Sequence, residues 1–222
     1  MRKMVVVADN FYADPDAVRN AALRNSFNSF GHFNYPGWQS NKFLSSEALW
    51  DRFEAILQVS LNRSSDRFAV GAFRVINQET GRLVKVHADT IVDWAAMVYL
   101  SPSAPADGGT GFFRHKTTGL TGPPTDEQAR ELGFADRESF ERDVIRADMA
   151  NLDQWELVGS VSPVYNRFVA FRGCEVYHAP LRGWGTTSRD GRMTHSFFFN
   201  EARMPDPGSS FTSLLPKRSA VA

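Results

Sequence analysis

From Arg67 onward the apolar side chains of this chain stop recurring every three or four positions and begin to alternate. A period of two is the mark of strands whose two faces meet different surroundings. Residues 68–76, 83–89, 95–100 and 111–114 read as strands, and residues 159–165, 167–172, 175–178 and 192–200 as a second set. Turn chemistry separates them, most clearly Asp107-Gly108-Gly109. The chain before Arg67 obeys another rule. After a short β-branched run at 4–8, Asp14-Pro15 is an N-cap with proline at the first helical position, and Val18, Ala21 and Ala22 share a helical face. Residues 27–38 are aromatic and turn-rich, with Tyr35-Pro36-Gly37 read as a turn. A Ser46 cap then opens a second helix, in which Leu49, Phe53, Ile56 and Leu57 form an amphipathic stripe.

Between the two strand sets lies a charged, helical insertion, residues 125–155. It has a Thr125-x-x-Gln128 capping box and Gly133 as a stop. Ser139 reads as the cap of a following stretch that carries Phe140, Val144, Ala147 and Leu152. Two N-terminal helices, about eight short strands and one insertion predict a mainly-β protein with some helix. The architecture expected is a double-stranded β-helix, or jelly roll, with the helices packed on the major sheet. Residues 1–203 read as one domain and the Pro/Ser-rich 204–222 as a surface tail.

Composition narrows the function classes. Lys+Arg and Asp+Glu are 25 each, so there is no broad basic field and no nucleic-acid partner is expected. No run nears ~18 apolar residues and no signal sequence is evident, so neither a membrane partner nor export is expected, and the cytoplasm is the default location. Cys174 stands alone, excludes a disulfide framework and reads as inert.

Three small patterns carry chemistry. On a strand, His87 and Asp89 point to the same side, which places an imidazole and a carboxylate at one point and lacks only one more histidine for a metal triad. His178 closes a strand late in the chain. Arg192 and Thr194 share a strand face after an Asp190-Gly191 turn, a pairing that clamps a carboxylate through a guanidinium and a hydroxyl. Singly, each has an ordinary explanation: a surface ion pair, a structural histidine, an arginine after a hairpin.

Taken in order, they say more. His87-x-Asp89, Gly108-Gly109-Thr110-Gly111-Phe112, Asn166-Arg167-Phe168-Val169-Ala170-Phe171, His178 and Arg192-x-Thr194 together resemble the iron(II)/2-oxoglutarate-dependent oxygenase superfamily, and most closely its prolyl-hydroxylase-like branch. The resemblance spans about residues 73–200. It implies that His87, Asp89 and His178 bind Fe(II) and leave sites for the 2-oxoglutarate chelate and O2. It also implies that Arg192 and Thr194 hold the far carboxylate of 2-oxoglutarate, with Tyr99 in the cosubstrate pocket. A carboxylate at Asp89 favours hydroxylation over halogenation. The expected function is a dioxygenase that hydroxylates an unactivated C–H of a small-molecule or peptidyl substrate. The sequence leaves substrate identity and oligomeric state open.

His115 reads as a polar loop residue, and His195 faces away from a Thr194-lined pocket. His32 lies in an aromatic cluster. Arg182 and Trp184 read as substrate contacts, because their loop borders the site in the family. The runner-up function is a cupin-like metal-binding or sensory jelly roll without turnover. A metal hydrolase ranks last, since it would need a general base poised near the metal.

Overall fold

The alternating stretch folds into two antiparallel sheets. The computed structural model describes residues 2–29, 36–63 and 70–202, so His32 and the 204–222 tail lie outside the described residues. Seven strands form a large sheet in the order β1 (Val5–Ala8), β8 (Phe168–Phe171), β5 (Trp94–Tyr99), β10 (Arg192–Phe199), β4 (Ala72–Ile76), β3 (Trp38–Phe43) and β2 (Phe27–Ser29). A small sheet runs β7 (Trp155–Val161), β6 (Thr110–His115), β9 (Tyr177–Pro180). An isolated antiparallel bridge between His87 and His178 adds the chain before β5 to the free edge of β9. From β4 onward the chain therefore winds between the sheets as a double-stranded β-helix.

Side-chain parity on the large sheet decides what each face does. On β10, Met193, His195, Phe197 and Phe199 point one way, and Arg192, Thr194 and Ser196 the other. The first face takes the helices. In α1 (Pro15–Leu23) the Asp14 carboxylate accepts the Ala17 N–H at 2.9 Å, and Ser46 caps α2 (Glu47–Leu57) through the Leu49 N–H. Ala22, Trp50, Phe53 and Leu57 from these helices then pack on Phe73, Trp94, Phe168, Phe197 and Phe199. Phe53 stacks on Phe168 and Phe199 at ring separations of 5.6 and 5.4 Å. Burying a large apolar side chain is worth about 1.5–3 kcal/mol, so this layer anchors the sheet.

The insertion covers the outer face of the small sheet. Its helices α3 (Asp126–Glu131) and α4 (Arg137–Phe140) lead into a π-helical stretch, Glu141–Ile145. Phe140 and Ile145 pack with Phe113, Trp155, Tyr177 and Val86. No helix among the described residues is long and apolar enough to cross a membrane.

The structure corrects several expectations. Residues 83–89 are no continuous strand; a 3-10 turn, Thr80–Leu83, leads to the single bridge at His87. Asp136, not Ser139, caps α4, and Ser139 returns the bond to the Asp136 N–H as the third residue of a capping box. The strand expected at 159–165 begins earlier, at Trp155. β2 lies within the stretch expected to be turn-rich, and β3 begins at its last residue and runs on through a segment for which no element was expected. His115 is no loop residue: it ends β6 fully buried, bonded to Asp148 at 3.0 Å and to Thr118 at 3.1 Å.

Candidate metal centre

The bridge between the 87–90 segment and β9 makes the site. His87 donates its N–H to the His178 carbonyl at 3.1 Å, and His178 returns the bond at 2.8 Å. This exchange fixes the two imidazoles side by side, with ring centres 4.7 Å apart. The Asp89 N–H bonds the Gly173 carbonyl at 2.8 Å, which holds the next inward-facing position in line.

The ring orientations follow from the backbone. His87 Nδ1 lies 3.0 Å from the Lys85 carbonyl, and His178 Nδ1 lies 3.1 Å from the Val176 carbonyl. A carbonyl can only accept, so in each ring Nδ1 carries the proton and Nε2 presents its lone pair. Burial holds the His178 pKa down to about 4, with His87 pushing the same way and Asp89 opposing, so the neutral form is the one present near pH 7.

Both Nε2 atoms face the Asp89 carboxylate, His87 at 3.9 Å from Oδ1 and His178 at 3.9 Å from Oδ2. Those distances are too long for hydrogen bonds. Asp89 Oδ2 is buried and has no hydrogen-bond partner among the described residues. One donor atom from each of the three residues lies within 4.8 Å of the other two. Three acceptors thus converge with no donor among them, one of them an orphaned buried oxygen. A divalent cation is what such a set fits, and two histidines with one carboxylate suit Fe(II) and its neighbours.

Gly173 makes room for this arrangement, and it escaped the sequence reading. A Cβ there would lie 2.0 Å from Asp89 Oδ2. On the other side, Phe171 packs against the His178 ring at 4.5 Å and meets Phe112 edge-on at 5.4 Å, forming an apolar wall between the sheets.

The other predicted residues line the same inter-sheet space. Arg192 is 2 % exposed. Its Nε donates to the Gly108 carbonyl at 3.1 Å, one terminal nitrogen reaches Thr110 Oγ1 at 3.3 Å, and the guanidinium sits 5.4 Å from the Tyr99 ring centre. Tyr99 does face inward, with its hydroxyl on Thr110 at 2.7 Å; burial raises its pKa, so it stays protonated. Thr194 lies on the same face of β10, with its hydroxyl 3.1 Å from that of Ser196. No carboxylate among the described residues pairs with Arg192. Along β6, Thr110 lies opposite Pro180 and Phe112 opposite His178. The Arg192 end and the triad end are therefore two residues apart, roughly 7 Å.

Arg182 and Trp184 lie at the Arg192 end rather than beside the triad. Arg182 pairs with Asp107 at 3.3 Å, and the Trp184 ring covers Gly108 so closely that a Cβ there would lie 2.3 Å from it. They strap the turn whose carbonyl holds Arg192. His195, as expected, faces the helices.

At the triad end, a cleft of about 540 Å³ opens between the 87–90 segment and the insertion. Arg137, Glu138, Glu141, Ile145 and Met149 form its far wall.

Comparison with solved structures returns a prolyl-4-hydroxylase from Pseudomonas putida, 14 % identical, over 90 % of this chain and 93 % of that one, with a TM-score of 0.47. It also returns HygX from Streptomyces hygroscopicus with nickel and 2-oxoglutarate bound, 12 % identical, over 89 % and 83 %, with a TM-score of 0.48. The same protein with hygromycin B also present matches at 13 % identity with a TM-score of 0.48, over the same shares of the two chains. No curated protein matches the chain. The model of a family of unknown function, DUF6445, matches residues 1–199, and the chain belongs to that family.

Proposed function

We propose that this protein is an Fe(II)- and 2-oxoglutarate-dependent oxygenase that hydroxylates a C–H bond of a small-molecule or peptidyl substrate. The observation that carries the reading is Arg192. A buried guanidinium with no carboxylate partner is costly, and this one lies about 7 Å along β6 from three converging metal donors. A five-carbon dicarboxylate is long enough to join the two ends.

In this reading His87, Asp89 and His178 hold Fe(II), and Arg192 receives the distal carboxylate with Thr194 assisting. Bound together, the metal and 2-oxoglutarate supply the oxidising chemistry: O2 is consumed, the keto acid leaves as succinate and CO2, and one oxygen atom enters the substrate C–H. The chain's own residues bind and orient. The Lys85 and Val176 carbonyls set the imidazole tautomers. Phe112 and Phe171 exclude water between the sheets. Thr110 accepts a hydrogen bond from the guanidinium, and Tyr99 in turn bonds Thr110, which holds the guanidinium in place.

The test has two arms. Anaerobic calorimetry should show one Fe(II) per chain and 2-oxoglutarate binding that requires both metal and Arg192. Succinate should then form under air with Fe(II) and ascorbate. Protein that takes up metal but binds no 2-oxoglutarate, with Arg192→Ala behaving as wild type, would instead be a metal-binding jelly roll without turnover.

A further inference from the structure

The insertion leaves β6 at His115, beyond the point where Phe113 pairs with Tyr177. That is the His178 end of the small sheet, opposite to the Gly108 and Arg192 end. The 87–90 segment also ends there. The cleft between them therefore has His87 and Asp89 in its wall, on the side that Arg192 does not occupy. Its 540 Å³ is the size of an ordinary small-molecule site.

The wall facing the metal donors has a distinct charge. The insertion contributes Asp126, Asp136, Glu138 and Glu141 against Arg137 and Arg146. Two of the acids are spent on the fold: Asp126 accepts the Arg137 backbone N–H, and Asp136 caps α4. Glu138 and Glu141 are not. Neither has an ion-pair partner among the described residues. Glu141 takes one hydrogen bond, from the Tyr177 hydroxyl at 2.9 Å, and is partly buried. Burial raises its pKa, against the Tyr177 hydroxyl and the Arg137 and Arg146 guanidinium groups, which pull it down. Arg137 is turned toward the Cys174 carbonyl.

We propose that this cleft is the substrate site and that it takes a small polar molecule presenting a protonated amine to Glu138 and Glu141. The inference rests on the oxygenase reading for the chemistry at its inner end, and on the cleft alone for the binding. It makes the insertion the element that selects substrate: the sheets carry the metal donors and Arg192, and the insertion carries the amine's counter-charge.

The probes are cadaverine and its neutral counterpart 1,5-pentanediol, each titrated into metal-loaded protein with and without 2-oxoglutarate. Cadaverine is expected to bind at least tenfold more tightly than the diol. The double substitution Glu138→Gln/Glu141→Gln should erase that preference. Gln at 141 keeps an acceptor for Tyr177, and an unchanged melting temperature would show the fold intact; Glu156→Gln, on the exposed β7, is the control that should change nothing. If cadaverine binds no better than the diol, or if the double variant keeps the preference, the inference is overturned. The two readings part cleanly. Glutamate-dependent cadaverine binding in protein that ignores 2-oxoglutarate keeps the cleft and sinks the oxygenase. Tight 2-oxoglutarate binding without amine preference does the reverse.

Discussion

Two buried histidines lie on opposite sides of the large sheet, and they differ in one atom. His195 faces the helices. Its Nδ1 meets the Tyr12 hydroxyl at 2.7 Å, and its Nε2 meets the Leu44 and Gly71 carbonyls at 3.0 and 3.1 Å. His178, on β9 of the small sheet, faces the large one, has its Nδ1 on a carbonyl and leaves Nε2 toward Asp89. Burial depresses the pKa of both to about 4. Neither burial nor acidity separates a structural histidine from a candidate ligand here. The unspent nitrogen does.

The sharpest break of that comparison is to delete each ring. His178→Ala should weaken metal binding by more than ~100-fold, since losing a ligand costs more than losing its second-sphere support. His195→Ala should leave metal affinity in the folded protein within about twofold and lower stability instead. Equal metal loss from both would erase the distinction. The next effect concerns pH. His195 has its pKa lowered from 6.5 to about 4, so the unfolded chain binds the extra proton first. Its neutral burial stabilises fully above pH 6.5, and that contribution drains as pH falls to about 4, on the order of 3 kcal/mol in all. Urea unfolding across this range should show a slope that His195→Gln reduces; identical slopes would contradict it. Gly173→Ala comes third. The new methyl group displaces the Asp89 carboxylate, and metal affinity should fall about 10–100-fold while the melting temperature moves little. The mildest change is Thr194→Val, on the site face one residue before His195. Removing one hydroxyl should cost 2-oxoglutarate affinity about 1 kcal/mol, some fivefold, with metal uptake unchanged.

Much of this contrast is written in the sequence, because strand parity is. Once residues 192–200 read as a strand, Arg192 and Thr194 must oppose His195. The same rule pairs His87 with Asp89. Caps at Asp14, Ser46 and Thr125 are equally local and equally legible. What escaped has no residue type to announce it. β3 runs Trp-Gln-Ser-Asn-Lys-Phe, poor in strand formers, and exists because β4 offers an edge. His115 sits among polar neighbours in sequence and is buried only once the insertion folds over it. Gly173 became part of the site only when β9 and the 87–90 segment met. The insertion's cleft is likewise a product of two distant segments.

The two carbonyls that orient the ligand rings come from Lys85 and Val176, each two positions before its histidine. Every amino acid supplies that acceptor, so no substitution at 85 or 176 can delete it. The aim of the imidazoles is inherited with the run of the backbone. Side chains all around the centre are then free to drift across generations without unsettling the way the two rings and the carboxylate converge.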